Sequence, residues 1–116
     1  MAEKKKPTPQ AYEVRISNSA LINIDEITGF IAFIKQQPFN ATKVGDTLFE
    51  TIEMIGRYPL AYKECKEIPT KSKMYRSANC LSWQIIFRIK ENKVLILGVI
   101  HHSRRPSNIR KLRIIK

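Results

Sequence analysis

Two neighbouring stretches in the second half of the chain decide the fold. The first is Trp83-Gln84-Ile85-Ile86-Phe87-Arg88-Ile89-Lys90, and the second is Val94-Leu95-Ile96-Leu97-Gly98-Val99-Ile100. In the first stretch, large apolar residues alternate with mostly polar ones, which is the pattern of a strand buried on one face. The second stretch is apolar throughout, which predicts a central strand covered on both faces. The intervening Glu91-Asn92 predicts a tight turn and hence a β-hairpin.

Upstream of this hairpin, the pattern changes to that of a strand followed by a helix. Tyr12–Ile16 alternates between apolar and polar residues and predicts a first strand. The run Ser17-Asn18-Ser19 offers three helix N-cap candidates, and Pro38 ends the helix that follows. The apolar positions of this helix are Ala20, Ile24, Ile27, Ile31 and Ile34, with Phe30 and Phe33 widening the face.

A second helix is predicted after a short link. Asn40 is its candidate N-cap, Gly56 suits the position after its last turn, and Pro59 blocks continuation. Its apolar positions are Val44, Leu48, Ile52 and Ile55. Residues 62–72 show no period and predict a basic loop, and Lys73–Ser77 predicts a weak strand.

The element order is therefore β-α-α-β-β-β, an α+β fold. We expect a helical hairpin packed on one face of a small, mostly antiparallel sheet. The length of 116 residues fits one domain. We predict a flexible N-terminal tail over residues 1–10, a globular domain over 11–108 and a basic C-terminal tail over 109–116.

The net charge of +11 is unevenly distributed along the chain. Residues 61–116 carry fourteen basic and three acidic side chains, whereas residues 1–60 carry seven of each. A basic half at this density favours a polyanionic partner, such as nucleic acid, an acidic protein segment or anionic lipid. The hydrophobic share of 43% and charged share of 27% are ordinary for a globular protein, and only six Pro and four Gly exclude a collagen-like or low-complexity chain.

No motif for a metal, a cofactor or a membrane span stands out. Cys65 and Cys80 are fifteen positions apart, and the histidines are the adjacent pair His101-His102, which is not a zinc-binding spacing. The N-terminal lysines are not followed by the apolar stretch of a signal peptide. The longest apolar run, Val94–Ile100, is far shorter than the ~20 residues of a membrane span. We expect a cytoplasmic protein with reduced thiols and no cofactor, metal or membrane partner.

The helical hairpin can cover only one face of the predicted sheet. The last strand is nevertheless apolar on both faces, and Ile86 stands on the outer face among Gln84, Arg88 and Lys90. An apolar strip of this kind is unfavourable in water, so something should cover it. Two alternatives are open: the C-terminal residues, or a partner protein that is acidic and amphipathic.

The element order and the C-terminal motif resemble the RelE/ParE superfamily of toxins from type II toxin–antitoxin modules, and more closely its ParE-like, plasmid-stabilisation branch. The resemblance covers about residues 11–108. Its most specific part is the segment from Trp83 to Pro106, with the ending Ile96-Leu97-x-Val99-Ile100-His101-x-Ser103-Arg104-x-Pro106. Supporting features are Ser17-x-x-Ala20, the pattern Ile24/Ile27/Phe30-Ile31, and Tyr58-Pro59 after the second helix.

The resemblance implies a cytoplasmic toxin that an acidic cognate antitoxin neutralises by wrapping over it. It leaves two targets open. RelE-like members cleave mRNA on the ribosome, whereas ParE-like members inhibit DNA gyrase. A different class, a non-toxic basic protein that binds nucleic acid, also fits the charge.

Metal-free RNA cleavage requires a base, an acid and a cation at the phosphate. The chain offers Arg76 as the cation, His101 or His102 as the acid, and Glu67 or Glu64 as the base. Two departures from the nuclease members argue against cleavage. Ser82 stands where they commonly carry Arg, and His101-His102 stand where several carry Tyr or a His-Tyr pair. We therefore favour gyrase binding and assign the partner contacts to Ile86, Arg88, Arg104 and Arg105.

Overall fold

The computed structural model describes residues 12–115 and shows two helices on a five-stranded sheet. From one edge of the sheet to the other, the strands are β1 (Glu13–Ile16), β5 (Lys93–His101), β4 (Trp83–Lys90), β3 (Tyr75–Cys80) and β2 (Lys63–Glu64). Strand β1 is parallel to β5, and the other neighbouring pairs are antiparallel. The α+β prediction is confirmed. The predicted tail over residues 1–10 lies outside the described residues. The elements are β1 (Glu13–Ile16), α1 (Asn18–Gly29), a π-helical turn (Phe30–Ile34), α2 (Pro38–Arg57), a 3₁₀ turn (Pro59–Ala61), β2 (Lys63–Glu64), β3 (Tyr75–Cys80), β4 (Trp83–Lys90), β5 (Lys93–His101), α3 (Pro106–Arg110) and a last 3₁₀ turn (Lys111–Ile114).

The main core lies between the helical hairpin and the inner face of the sheet. Its buried members include Leu48 and Ile55 from α2 and Ile85 and Phe87 from β4, and Ile24 contributes from α1. These are positions that the two sequence periodicities predict to face each other. The helices are thereby fixed to one side of the sheet, as expected.

A β-bulge in β5 is held by the side chain of Ser17, the residue that precedes α1. The register passes from Ile86↔Gly98 to Phe87↔Ile96, which leaves Leu97 as the extra residue. The Ser17 hydroxyl donates to the Leu97 carbonyl at 3.1 Å and accepts from the Ala20 amide at 3.0 Å. Because these bonds satisfy both the helix end and the irregular strand, Ser17 is the N-cap among the three candidates.

The two helices differ from the sequence predictions in two boundaries and in one core position. Helix α2 begins at Pro38 rather than being capped by Asn40, because proline fits the first turn of a helix, where no amide partner is needed. Gly56 lies inside α2, buried against β1, and the helix ends one residue later. Phe33 is 81% exposed and does not join the core.

The exposure of Phe33 follows from the π-helical turn that ends the first helix. The Lys35 amide donates to the Phe30 carbonyl, five residues back, at 3.0 Å. A π turn advances the chain by more residues per turn than an α-helix, so it rotates later side chains off the helix face. Phe33 and Ile34 therefore point away from the core, although their spacing is that of an amphipathic helix.

The outer face of the sheet is covered by the C-terminal residues of the same chain. Ile109 and Leu112 are buried in a second apolar cluster with Ile86 and Leu97, and α3 with its following turn carries them there. Of the two alternatives for covering this face, the described structure shows the intramolecular one. Residues 109–115, set apart as a tail in the sequence, are packed on the sheet.

Candidate functional site

A groove of about 670 Å³ opens at the end of β5, between the sheet and the helical hairpin. Its apolar wall includes Phe30 and Ile31 from the π turn and Trp83 from β4. Lys35 and Arg104 also line it. An apolar recess with cations beside it fits a segment that carries apolar side chains on one face and carboxylates on the other.

His101 lines this groove, and its imidazole contacts Ser103 and Trp83. Its Nδ1 accepts a hydrogen bond from the Ser103 amide at 3.1 Å and lies 2.8 Å from the Ser103 hydroxyl. Nδ1 therefore acts as the acceptor of the Ser103 amide in this turn. The ring packs edge to face with Trp83, with 5.9 Å between ring centroids. These contacts hold His101 at the groove as a fixed part of the turn after β5.

His102 belongs to the opposite face of the sheet. Its Nδ1 lies 3.4 Å from the Gln84 amide nitrogen, and the Gln84 carbonyl oxygen accepts from the Ser77 hydroxyl at 3.1 Å. Gln84 alternates with Trp83 along β4, so the two histidines are associated with opposite faces of the sheet. The sequence pattern places Gln84 on the outer face but does not reveal its contact with His102.

The Arg76 guanidinium donates hydrogen bonds to three backbone carbonyls. Its Nε donates to Lys73 at 2.9 Å, and one terminal nitrogen donates to Tyr62 at 2.8 Å and to Leu60 at 3.3 Å. These bonds tie the 3₁₀ turn and the start of β2 to β3. The guanidinium thus links β3 to the loop that precedes it and to the 3₁₀ turn before β2.

The structure does not bring Arg76 and His101 together. Arg76 pairs in register with Phe87, whereas His101 pairs with Trp83. Four residues of β4 correspond to roughly 13 Å along the strand, and the two residues lie on strands separated by β4.

The two candidate bases lie near the far edge of the sheet. Glu64, on the edge strand β2, accepts from the Thr70 amide at 3.1 Å. Glu67, in the loop after β2, accepts from the Cys65 thiol at 3.5 Å. Burial raises the pKa of that thiol to about 11. Both carboxylates therefore organise the loop between β2 and β3, three strands away from His101.

The predicted partner contacts have different environments. Ile86 is fully buried beneath the C-terminal residues. A partner cannot reach it while these residues cover the sheet, so the prediction of an exposed contact there is wrong. Arg88 is half-buried and donates to the Ile115 carbonyl at 2.9 Å. Arg104 and Arg105 are exposed, and Arg104 lines the groove.

Neither a metal site nor a membrane-spanning helix is found among residues 12–115. That part of the chain holds no group of three or more His, Cys, Asp or Glu side chains placed to bind a metal ion. None of its helices combines the length and the hydropathy needed to cross a bilayer.

Comparisons with known proteins agree with this architecture. The α+β fold, with helices packed on a five-stranded, mostly antiparallel sheet, matches that of solved ParE and RelE toxin–antitoxin structures. Residues 14–106 match the family described as "ParE toxin of type II toxin-antitoxin system, parDE". Because this match spans most of the chain, the chain belongs to that family and is the toxin of a type II toxin–antitoxin system. No curated protein matches it.

Two solved structures are similar in fold. One is titled "Chromosomal ParDE TA system from P. aeruginosa", with a TM-score of 0.61, 16% identity, and coverage of 78% of this chain and 96% of that chain. The other is the toxin–antitoxin complex RelBE2 from Mycobacterium tuberculosis, with a TM-score of 0.57, 18% identity, and coverage of 81% and 94%. At these identities the likeness concerns the fold alone.

Proposed function

We propose that this toxin is ParE-like, arrests growth by binding DNA gyrase, and is neutralised by an acidic antitoxin. The main support is the separation of the residues that a nuclease mechanism would require. General acid–base catalysis needs its groups within hydrogen-bonding reach of one substrate. Here Arg76 donates hydrogen bonds to three carbonyls. His101 lies two strands away from it and four residues further along β4. Inhibition by binding does not require these residues to meet.

The antitoxin is proposed to use the groove beside Trp83. Three further large apolar side chains at this end of the hairpin, Phe33, Ile34 and Phe39, are 81%, 68% and 87% exposed. Lys35 lies among them in the chain. An acidic amphipathic segment would cover this apolar surface and place carboxylates near Lys35 and Arg104. We expect the antitoxin to be a small acidic protein encoded beside the toxin.

The target is tested by expressing the toxin alone and following DNA and protein synthesis separately. Gyrase binding predicts that DNA synthesis stops first and that the purified toxin inhibits supercoiling by purified gyrase. Early loss of protein synthesis, with cleaved mRNA and uninhibited gyrase, would instead support the RelE-like mechanism.

Point variants sharpen this test without disturbing the fold. The paired change Arg104→Gln and Arg105→Gln should weaken gyrase inhibition, whereas His101→Ala should leave growth arrest nearly unchanged. Truncation after His102 is unsuitable, because it also removes Ile109 and Leu112 from the second apolar cluster. A growth-inactive His101→Ala that folds and still binds the antitoxin would contradict the proposal.

A further inference from the structure

Charge and exposed apolar surface are segregated between the two layers of the molecule. Residues 18–57, which form the helical hairpin, carry five acidic and three basic side chains. The other described residues, 12–17 and 58–115, carry fourteen basic and four acidic ones. Eight of the twelve large exposed hydrophobic residues lie in the hairpin. The layer with most of the positive charge therefore exposes little apolar surface.

Four cations share one end of the outer sheet face. The register places Arg15 beside Leu95 and Leu95 beside Arg88, so the two arginines lie on either side of β5. Lys93 and Lys90 pair directly in the adjacent row. By the two-residue alternation of strands, all four point to the face opposite the main core.

Two clefts join these cations to the C-terminal residues. A cleft of about 470 Å³ is lined by Arg15, Arg88, Lys90 and Lys93, and a second of about 500 Å³ is lined by Arg88, Lys90 and Arg113. Because Arg88 and Lys90 line both, the five residues form one continuous cationic surface. Arg88 is held at its centre by the hydrogen bond to the Ile115 carbonyl.

None of these cations forms a salt bridge within residues 12–115, although Glu13 lies directly beside Lys93 in the β1–β5 register. Glu13 and Glu91 border the first cleft, yet the salt bridge between Arg57 and Glu53 is the only one found among residues 12–115. Like charges held this close repel one another unless an anion neutralises them. The arrangement therefore favours a ligand with several negative charges in a row.

We propose that this cationic surface binds the phosphodiester backbone of double-stranded DNA. The two arginines are separated by two strand spacings, roughly 10 Å, and the two rows by roughly 7 Å. Duplex DNA presents about one negative charge per 1.7 Å of its axis, so several phosphates would fall within this area. An acidic amphipathic protein segment would need several exposed apolar contacts, and these lie mainly on the hairpin; of the twelve large exposed hydrophobic residues, Ile114 alone lines these clefts.

The choice of DNA over RNA rests on the proposed function, because gyrase acts on duplex DNA. The inference goes beyond gyrase binding in assigning the toxin a contact with DNA itself. The surface would let the toxin hold the DNA beside the enzyme that it inhibits. Its affinity should depend little on base sequence, because phosphate contacts carry no sequence information.

The test measures binding of the full-length toxin to a labelled DNA duplex of arbitrary sequence, without gyrase, between 50 and 200 mM salt. The paired change Arg15→Gln and Lys93→Gln removes two exposed charges from the surface. Each lost phosphate contact should weaken binding on the order of tenfold and reduce the slope of log affinity against log salt by about one. The matched control is Lys43→Gln with Arg57→Gln, which removes the same charge from exposed positions of the hairpin and should have little effect.

Three outcomes would overturn the inference. These are an equal loss in the control pair, tighter binding of an RNA duplex, or tighter binding of poly-L-glutamate that is lost in the Arg15/Lys93 pair. The supercoiling assay is separate from this measurement. A toxin that inhibits gyrase but does not bind bare DNA contradicts only the inference, and one that binds DNA but does not inhibit gyrase contradicts only the proposed function.

Discussion

The Leu112 side chain occupies the space that a Cβ atom on Gly98 would need. Such a Cβ would lie 3.0 Å and 3.2 Å from the two δ carbons of Leu112 and 3.3 Å from the Asn23 amide oxygen. Asn23 cannot easily move away, because that oxygen accepts the Val99 amide proton at 2.9 Å. Gly98 thus allows the C-terminal residues to pack closely on the sheet beside the bulge.

Gly98→Ala should therefore destabilise the protein through Leu112. We expect a loss of about 1 kcal/mol, because Leu112 must shift outward to accommodate the methyl group. In a Leu112→Ala background the same substitution should cost less, which gives a coupling free energy of at least ~0.5 kcal/mol. Chemical denaturation of the four proteins in this double-mutant cycle measures it. Strict additivity would mean that Leu112 does not pack on Gly98 in solution.

Gly56 is a second position where space rather than backbone freedom requires glycine. A Cβ there would lie 2.5 Å from Val14 Cγ2, which is too close for any van der Waals contact. Alanine is ordinarily favoured over glycine in a helix by about 1 kcal/mol, but here the clash between α2 and β1 should reverse the sign. We expect Gly56→Ala to lower the free energy of unfolding by about 1–3 kcal/mol.

Gly29→Ala is the control for this prediction. Nothing lies within 4 Å of its hypothetical Cβ, so alanine should leave stability unchanged or raise it by up to ~1 kcal/mol. Thermal unfolding of both variants compares them directly. A Gly56→Ala protein as stable as Gly29→Ala would show that β1 does not press on α2.

The sequence was sufficient for the fold class because its strongest patterns are local. The alternation from Trp83 to Lys90 and the apolar run to Ile100 became the central hairpin with nearly the predicted bounds. The spacing from Ala20 to Ile34, however, could not reveal the π turn. The residues of that turn look amphipathic under an α-helical period, whereas Ile34 is 68% exposed.

The site was harder to predict because it depends on tertiary contacts. Arg76 has the residue type of a phosphate ligand, and only the structure shows that its donors meet the nearby Lys73 carbonyl and two carbonyls at the distant 3₁₀ turn, those of Leu60 and Tyr62. Likewise, Ile86 is an outer-face residue in the sequence pattern, yet Ile109 and Leu112 cover it from more than twenty residues away. Sequence periodicity specifies a face but not what covers it.

Stability should depend on pH through the Cys65 thiol. Burial is the main reason that the pKa of Cys65 rises from 9.0 to about 11, and the side-chain hydrogen bond to Glu67 acts in the same direction. Below about pH 9 both the folded and the unfolded chain hold the proton, so stability is unaffected. Between about pH 9 and 11 the unfolded chain loses it first, and stability should fall by roughly 1 kcal/mol per pH unit.

The Cys65→Ala variant isolates this contribution. Lysine and tyrosine side chains also titrate in this range, but their effect is common to both proteins and cancels in the difference. We therefore expect the free energy of unfolding of the native protein to fall more steeply with pH than that of the variant. Parallel curves from pH 8 to 11 would show that the thiol is accessible to water in the folded state.

The last prediction separates a structural from a chemical role for Arg76. If the guanidinium serves to join the 3₁₀ turn, β2 and β3, Arg76→Ala should lower the free energy of unfolding by about 1 kcal/mol, because it removes the donor to the partly buried Tyr62 carbonyl and two more exposed bonds, to Leu60 and Lys73. Growth arrest should then persist at a temperature where the variant is still folded. Arg57→Ala is the control, since it removes an exposed arginine paired only with Glu53 at 3.4 Å and should change stability by less than ~0.5 kcal/mol. The decisive comparison is toxicity at equal folded fraction. A fully folded Arg76→Ala toxin that no longer arrests growth would show that Arg76 has a functional role, and would favour RNA cleavage over inhibition by binding.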